Sequence, residues 1–208
     1  MIDTLKFHSN TLNIDVRVKI FLPSNYDQND KLYNSVYIIS KNDHINSEEL
    51  NKSFENNDLI GIQIYPNNDI DKNVLLFDSF ESKYNFSKLY SDFLFKEILT
   101  YLEKRYRLGT TQKDRAILGY DITALFALTS AYEYNLFSKM ISLNLDIEKF
   151  KFRFFSYLKS KFDPNTGLYL YMKNEETLDE IYKLEKMFGL PVFEKLESNQ
   201  IKDAIDSI

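Results

Sequence analysis

The stretch Arg115-Ala116-Ile117-Leu118-Gly119-Tyr120-Asp121-Ile122-Thr123-Ala124-Leu125-Phe126-Ala127-Leu128 decides how the chain is read. Its first half is a short apolar run ending at Gly119, the pattern of a strand buried on both faces. Its second half carries small and apolar residues at helical spacing, and it starts after one tight turn. A strand that passes straight into a helix is the repeating unit of a parallel sheet. Ligands of such sheets sit beyond the carboxyl ends of the strands. The junction Gly119, Tyr120, Asp121 and Ile122 is therefore the first candidate site.

Runs of the same style lie on both sides of this segment. They are Val36-Tyr37-Ile38-Ile39, Leu59-Ile60-Gly61-Ile62-Gln63-Ile64, Lys139-Met140-Ile141-Ser142-Leu143, Leu168-Tyr169-Leu170-Tyr171-Met172 and Val192-Phe193. Helical patterns separate them: Ser87 to Arg107, with Tyr90, Phe93, Leu94, Ile98, Tyr101 and Leu102 on one face, then Ile122 to Tyr134, Ile147 to Lys161 and Glu175 to Phe188. The last of these ends at Gly189 and Pro191, a usual helix stop. The amino-terminal part differs. Leu12, Ile14, Val16, Val18, Ile20 and Leu22 alternate with polar residues, as in a half-buried strand. Ile2 to Phe7 reads as its shorter partner, and Pro23 to Asp27 as the turn that follows. Alternating strands and helices after an antiparallel start predict an α/β three-layer sandwich around a mostly parallel sheet. Without repeats or a Gly/Ser linker, residues 1–208 read as one domain.

Composition removes several function classes. The 208 residues carry a net charge of -5, so no basic field attracts phosphate backbones and nucleic acid is not an expected partner. With no cysteine there is no thiolate nucleophile, disulfide or Cys-ligated metal. No stretch reaches the roughly 18 apolar residues of a membrane span, and the amino terminus lacks a signal-peptide pattern. The expectation is a cytoplasmic protein that binds no membrane. Asp69-Ile70-Asp71-Lys72-Asn73 begins like a calcium loop but has Val74 and Phe80 where Gly and Glu are required. His44 and Glu48 have metal-ligand spacing without a third ligand nearby. The Gly-rich phosphate-loop patterns are absent. The expectation is no metal and no cofactor. The tail Ile201 to Ile208 reads as an amphipathic turn or two closing the sheet edge.

Several ordered motifs resemble the putative esterase family of α/β-hydrolases, the esterase D-like and enterochelin-esterase-like enzymes. Val18-Lys19-Ile20-Phe21-Leu22-Pro23-Ser24-Asn25-Tyr26-Asp27 is similar to that family's strand followed by LPxxYD. Tyr33 to Lys41 is similar to YPVLYLLHG, and Asp92 through Arg107 to DFLxxELxPxIExxYR. The match continues through the Gly119 junction to Leu143, covering about residues 12 to 145. The resemblance implies an α/β-hydrolase without a lid domain. It also implies a nucleophile elbow, G-x-S-x-G, at Gly119 to Thr123.

The departures from the family pattern concern the chemistry. Asp121 stands where the family has its nucleophilic Ser. Thr123 stands at the second elbow glycine, a position expected to need a residue without Cβ. Ser40-Lys41 replaces the His-Gly that helps build the oxyanion hole. The family's acid falls near Asn174 or Glu175 and its His near Asn199 or Gln200, yet the chain's only histidines are His8 and His44. A serine nucleophile needs an adjacent base and that base an orienting acid, so this chemistry is not expected here. The leading expectation is a pseudoenzyme that acts as a binding or interaction protein, with a protein partner or a second copy and a ligand the sequence does not identify. The alternative is a hydrolase of carboxylic or related esters that uses Asp121, as some α/β-hydrolases do, with His44 or Glu175 as an unconventional base. Asp121 also suits a helix N-cap, Tyr120 a packing residue and His44 a solvated loop.

Overall fold

In a computed structural model, the structure describes residues 1–40, 47–65, 90–120, 123–124, 126–127, 134–143, 167–171, 186, 194–195, 205 and 208. Within these, eight strands form one sheet: β1 (Ile2–Ser9), β2 (Ile14–Phe21), β3 (Ser35–Ile39), β4 (Ile60–Tyr65), β5 (Arg115–Tyr120), β6 (Lys139–Leu143), β7 (Gly167–Tyr171) and β8 (Glu194–Lys195). Their spatial order is β1-β2-β4-β3-β5-β6-β7-β8. β1 and β2 form the antiparallel start, with Ile2 opposite Phe21, and β2 runs antiparallel to β4. From β4 to β8 all pairings are parallel. The last strand lies at Glu194–Lys195, just past the expected Val192-Phe193.

Alternation along each strand builds two cores. Val16, Val18 and Ile20 of β2, Tyr37 and Ile39 of β3, Ile60, Ile62 and Ile64 of β4, and Ile117 of β5 share one face. Val36, Ile38, Ala116, Leu118, Ile141 and Leu143 share the other, joined by Phe21. Both faces of β3 are buried throughout, which is why its sequence has no polar alternation. The first face is covered by a helix running from residue 90 to 105, which contains a π-helical stretch, Phe93–Ile98, and then α2, Leu99–Arg105. Ala124, Phe126 and Ala127, in the helix after the junction, cover it further. The second face is covered by α1, Ser47–Asn56, through Leu50 and Phe54. Gly61 of β4 is what lets Phe54 lie flat there, because a Cβ would sit 2.0 Å from the ring.

One expectation changes. Tyr101 belongs to the periodic apolar stripe in the sequence, yet it is 37% exposed and only edges against Phe7. The π-helical stretch is wider than an α-turn, so Phe95 and Leu99 face the core along with Ile98 and Leu102. Of the tail Ile201 to Ile208, expected to close the sheet edge, only Ile205 and Ile208 lie among the described residues, and β8 is the strand at that end of the sheet. Ile205 is fully buried in the second core, and Lys139 of β6 donates to the Ile208 carbonyl. The expected helices Ile147 to Lys161 and Glu175 to Phe188 lie outside the described residues apart from Lys186, as does the rejected calcium loop at Asp69. No helix among the described residues is long and apolar enough to cross a membrane.

Glu97 ties the π-helical stretch to the β1–β2 hairpin. Its Oε1 accepts from the Thr11 backbone N–H at 2.8 Å and from the Thr11 hydroxyl at 2.5 Å. Burial pushes the carboxyl up. Hydrogen bonds from the Thr11 and Ser9 hydroxyls and the Thr11 and Asn10 amides outweigh burial and hold it below the usual range. A depressed carboxylate stabilises the fold above its unfolded pKa, and that contribution disappears as pH falls through the folded value. Glu97→Gln is expected to cost about 1–2 kcal/mol at neutral pH, lowering the melting temperature by several degrees. In melts from pH 7 to pH 3 the variant should lose less stability than the parent, and parallel curves would disprove the assignment.

Candidate functional site at the carboxyl edge

β3 and β5 are neighbours in parallel register, with Ile39 beside Gly119, so their carboxyl ends open at the same place. Gly119 is forced by this packing. A Cβ there would lie 2.5 Å from the Thr123 carbonyl oxygen, 2.7 Å from the Ala124 Cα and 2.8 Å from the Ala127 Cβ. The helix after the turn therefore sits directly on the end of β5. Tyr120, the last residue of β5, is half-buried beside Leu143.

Thr123 is fully buried and its hydroxyl makes polar contacts with the ends of β3 and β5. Its hydroxyl accepts from the Tyr120 backbone N–H at 3.0 Å, the way the third-residue side chain of a capping box reaches back to the cap. The same hydroxyl lies 2.5 Å from the Ile39 carbonyl and 2.9 Å from the Tyr120 carbonyl, and its single proton serves one of them at a time. The expected need for a residue without Cβ thus falls on Gly119. At Thr123 a branched side chain fits and is hydrogen-bonded.

Ser40 follows β3 and is 3% exposed. Its N–H donates to the Ile64 carbonyl at 3.3 Å, and the Gln63 Nε2 donates to its Oγ at 3.2 Å. Gln63 of β4 is itself fully buried, and among the described residues no donor reaches its Oε1. Sequence reading named neither Thr123 nor Gln63 as a contributor. A hydroxyl three residues past the end of a strand, and one amide inside the apolar run Leu59 to Ile64, were the available signals.

The structure brings together Gly119, Tyr120 and Ser40 of the expected site. Lys41, His44, Asp121, Ile122, Asn174, Glu175 and Asn199 lie outside the described residues. By sequence, Asp121 and Ile122 lie between Tyr120 and Thr123, and Lys41 follows Ser40. Among the described residues no group of three or more His, Asp or Glu could hold a metal ion.

The profile of the family described as putative esterase matches residues 9–146. None of the curated protein sequences matches the chain. Solved structures resemble it over its whole length. A ferulic acid esterase has a TM-score of 0.73 at 16% identity, with 100% of this chain and 94% of that one covered. An S-formylglutathione hydrolase from Staphylococcus aureus has 0.71 at 13%, covering 100% and 92%. An IroE-like serine hydrolase from Shewanella oneidensis has 0.73 at 13%, covering 100% and 77%. At these identities the likeness concerns the fold.

Proposed function

The chain belongs to the putative esterase family and has an α/β-hydrolase fold, and from that premise we propose that it has left serine-hydrolase chemistry and serves as a binding protein. The observation that carries this reading is the elbow Gly119-Tyr120-Asp121-Ile122-Thr123, with Asp at the nucleophile position and no histidine after His44 in the 208 residues. A hydroxyl nucleophile and its imidazole base are missing together, and losing even one member of such a set costs several orders of magnitude in rate. The packing around the turn is nonetheless well built: Gly119 fits under its helix and the Thr123 hydroxyl is bonded on both sides. That supports a reshaped site over a collapsed one. By sequence a carboxylate side chain replaces a neutral hydroxyl at that position, a change that would favour ligands presenting amine or hydroxyl donors and disfavour carboxylates. The chain's acidic balance argues against nucleic acid, and a protein partner or second copy suits a binding role.

The test is hydrolysis of p-nitrophenyl acetate and butyrate by the parent, Asp121→Ala and His44→Ala, with fluorophosphonate labelling in parallel. Background rates in all three and no labelling are the expected result. Turnover that disappears in Asp121→Ala would overturn it. It would establish the second reading, which the ionisable Asp at the nucleophile position favours: an ester hydrolase with Asp121 as nucleophile and a water activated by His44 or Glu175.

A further inference from the structure

We propose that Thr123 is a positioning residue that locks the two sides of the carboxyl-edge site to each other. One side is the end of β5 at Tyr120 and the other is the end of β3 at Ile39 and Ser40. The glycine that the family pattern has at this place has no side chain and cannot connect them. The Thr123 hydroxyl does so directly, accepting from Tyr120 N–H on the elbow side and, in the rotamer whose proton points across rather than at the Tyr120 carbonyl, donating to the Ile39 carbonyl on the other. Ile39 is the last residue of β3 and Ser40 is the next, so the backbone entering the family's oxyanion loop is held from its first peptide unit. Its position is fixed from the other direction by Ser40 N–H on Ile64 and by Gln63 on the Ser40 hydroxyl. The substitution at the second elbow glycine therefore makes the site more rigid, and a pre-ordered site loses less entropy when a ligand binds.

This inference takes the elbow to be the ligand site. Its test needs no ligand, so its failure and that of the binding reading are distinguishable. Amide hydrogen exchange is measured on the whole chain as the parent, Thr123→Val, Thr123→Ser and Thr123→Gly. Valine keeps the shape and removes the hydroxyl, serine keeps the hydroxyl, and glycine restores the family residue. In the valine and glycine variants exchange should rise at Tyr120 by about tenfold, the scale of its lost hydrogen bond to the Thr123 hydroxyl, and by a smaller factor at Ser40, whose own bond to Ile64 is kept while the Ile39 carbonyl loses its donor. Exchange at Ile117 in the middle of β5 should stay unchanged, and serine should return both sites to the parent rates. A rise at Tyr120 alone would reduce Thr123 to a helix cap and overturn the coupling. A uniform rise that includes Ile117, or no rise at all, would overturn it as well.

Discussion

Gly119→Ala is expected to cost about 3 kcal/mol or more, enough to leave a chain of ordinary stability largely unfolded or insoluble on mild heating. The reason is the identity of the atoms a methyl group would meet. Overpacking against the tip of a flexible side chain is relieved by a rotamer change. Here the obstacles are the Thr123 carbonyl oxygen at 2.5 Å and the Ala124 Cα at 2.7 Å, both backbone. Relief requires the whole helix to move off the end of β5, and that movement would also break the Thr123 contacts with Tyr120 and Ile39. Urea denaturation of Gly119→Ala, Ala127→Gly and the double variant separates the causes. Ala127→Gly removes the Cβ contact at 2.8 Å and leaves the two closer ones, so the double variant should recover little. Recovery of most of the loss would mean that the side-chain contact, and not the backbone approach, is what demands glycine.

The strands were legible because burial on one or both faces leaves a pattern in consecutive residues. Val36 to Ile39 and Leu59 to Ile64 read as fully buried, and Leu12 to Leu22 as alternating, for that reason. The strands found there are Ser35–Ile39, Ile60–Tyr65 and Ile14–Phe21. The spatial order, which sets β5 between β3 and β6, follows from pairing between distant segments and leaves no local trace. Tyr101 was misread because a 3.6-residue period extrapolates smoothly across Phe93–Ile98, where the real helix is wider. At the elbow the sequence gives residue types, and it marked Thr123 as a lost small residue. Whether a Cβ clashes depends on where the next helix lies, and that geometry assigns the close approach to Gly119. Gln63 was invisible as a site element for a similar reason. One amide among isoleucines becomes meaningful only when Ser40 is found at its end.

The second large effect concerns the opposite end of β5. Arg115, its first residue, is 5% exposed, and its guanidinium donates to the Glu103 carboxylate on α2 and to the Thr110 carbonyl at 2.6 Å. The sequence hides this pair, since one partner begins a strand and the other sits on a helix whose apolar face was the visible feature. Arg115→Met is expected to cost about 2–3 kcal/mol, because it leaves a partly buried carboxylate and the Thr110 carbonyl without their donor. Burial already pushes the neighbouring Tyr37 phenol well above its ordinary range, with Arg115 pulling the other way. At neutral pH that phenol is uncharged, so the loss of the cation falls on the Glu103 carboxylate. The double variant Arg115→Met with Glu103→Leu should regain most of the loss, since a buried ion pair repays its desolvation only narrowly against well-packed apolar side chains. Chemical denaturation of the two single variants and the double gives the coupling directly. Additive losses would show that Arg115 acts mainly through Thr110 and its own packing. A strong coupling would mean that the pair fixes where β5 begins, and therefore where, a strand length away, its elbow ends.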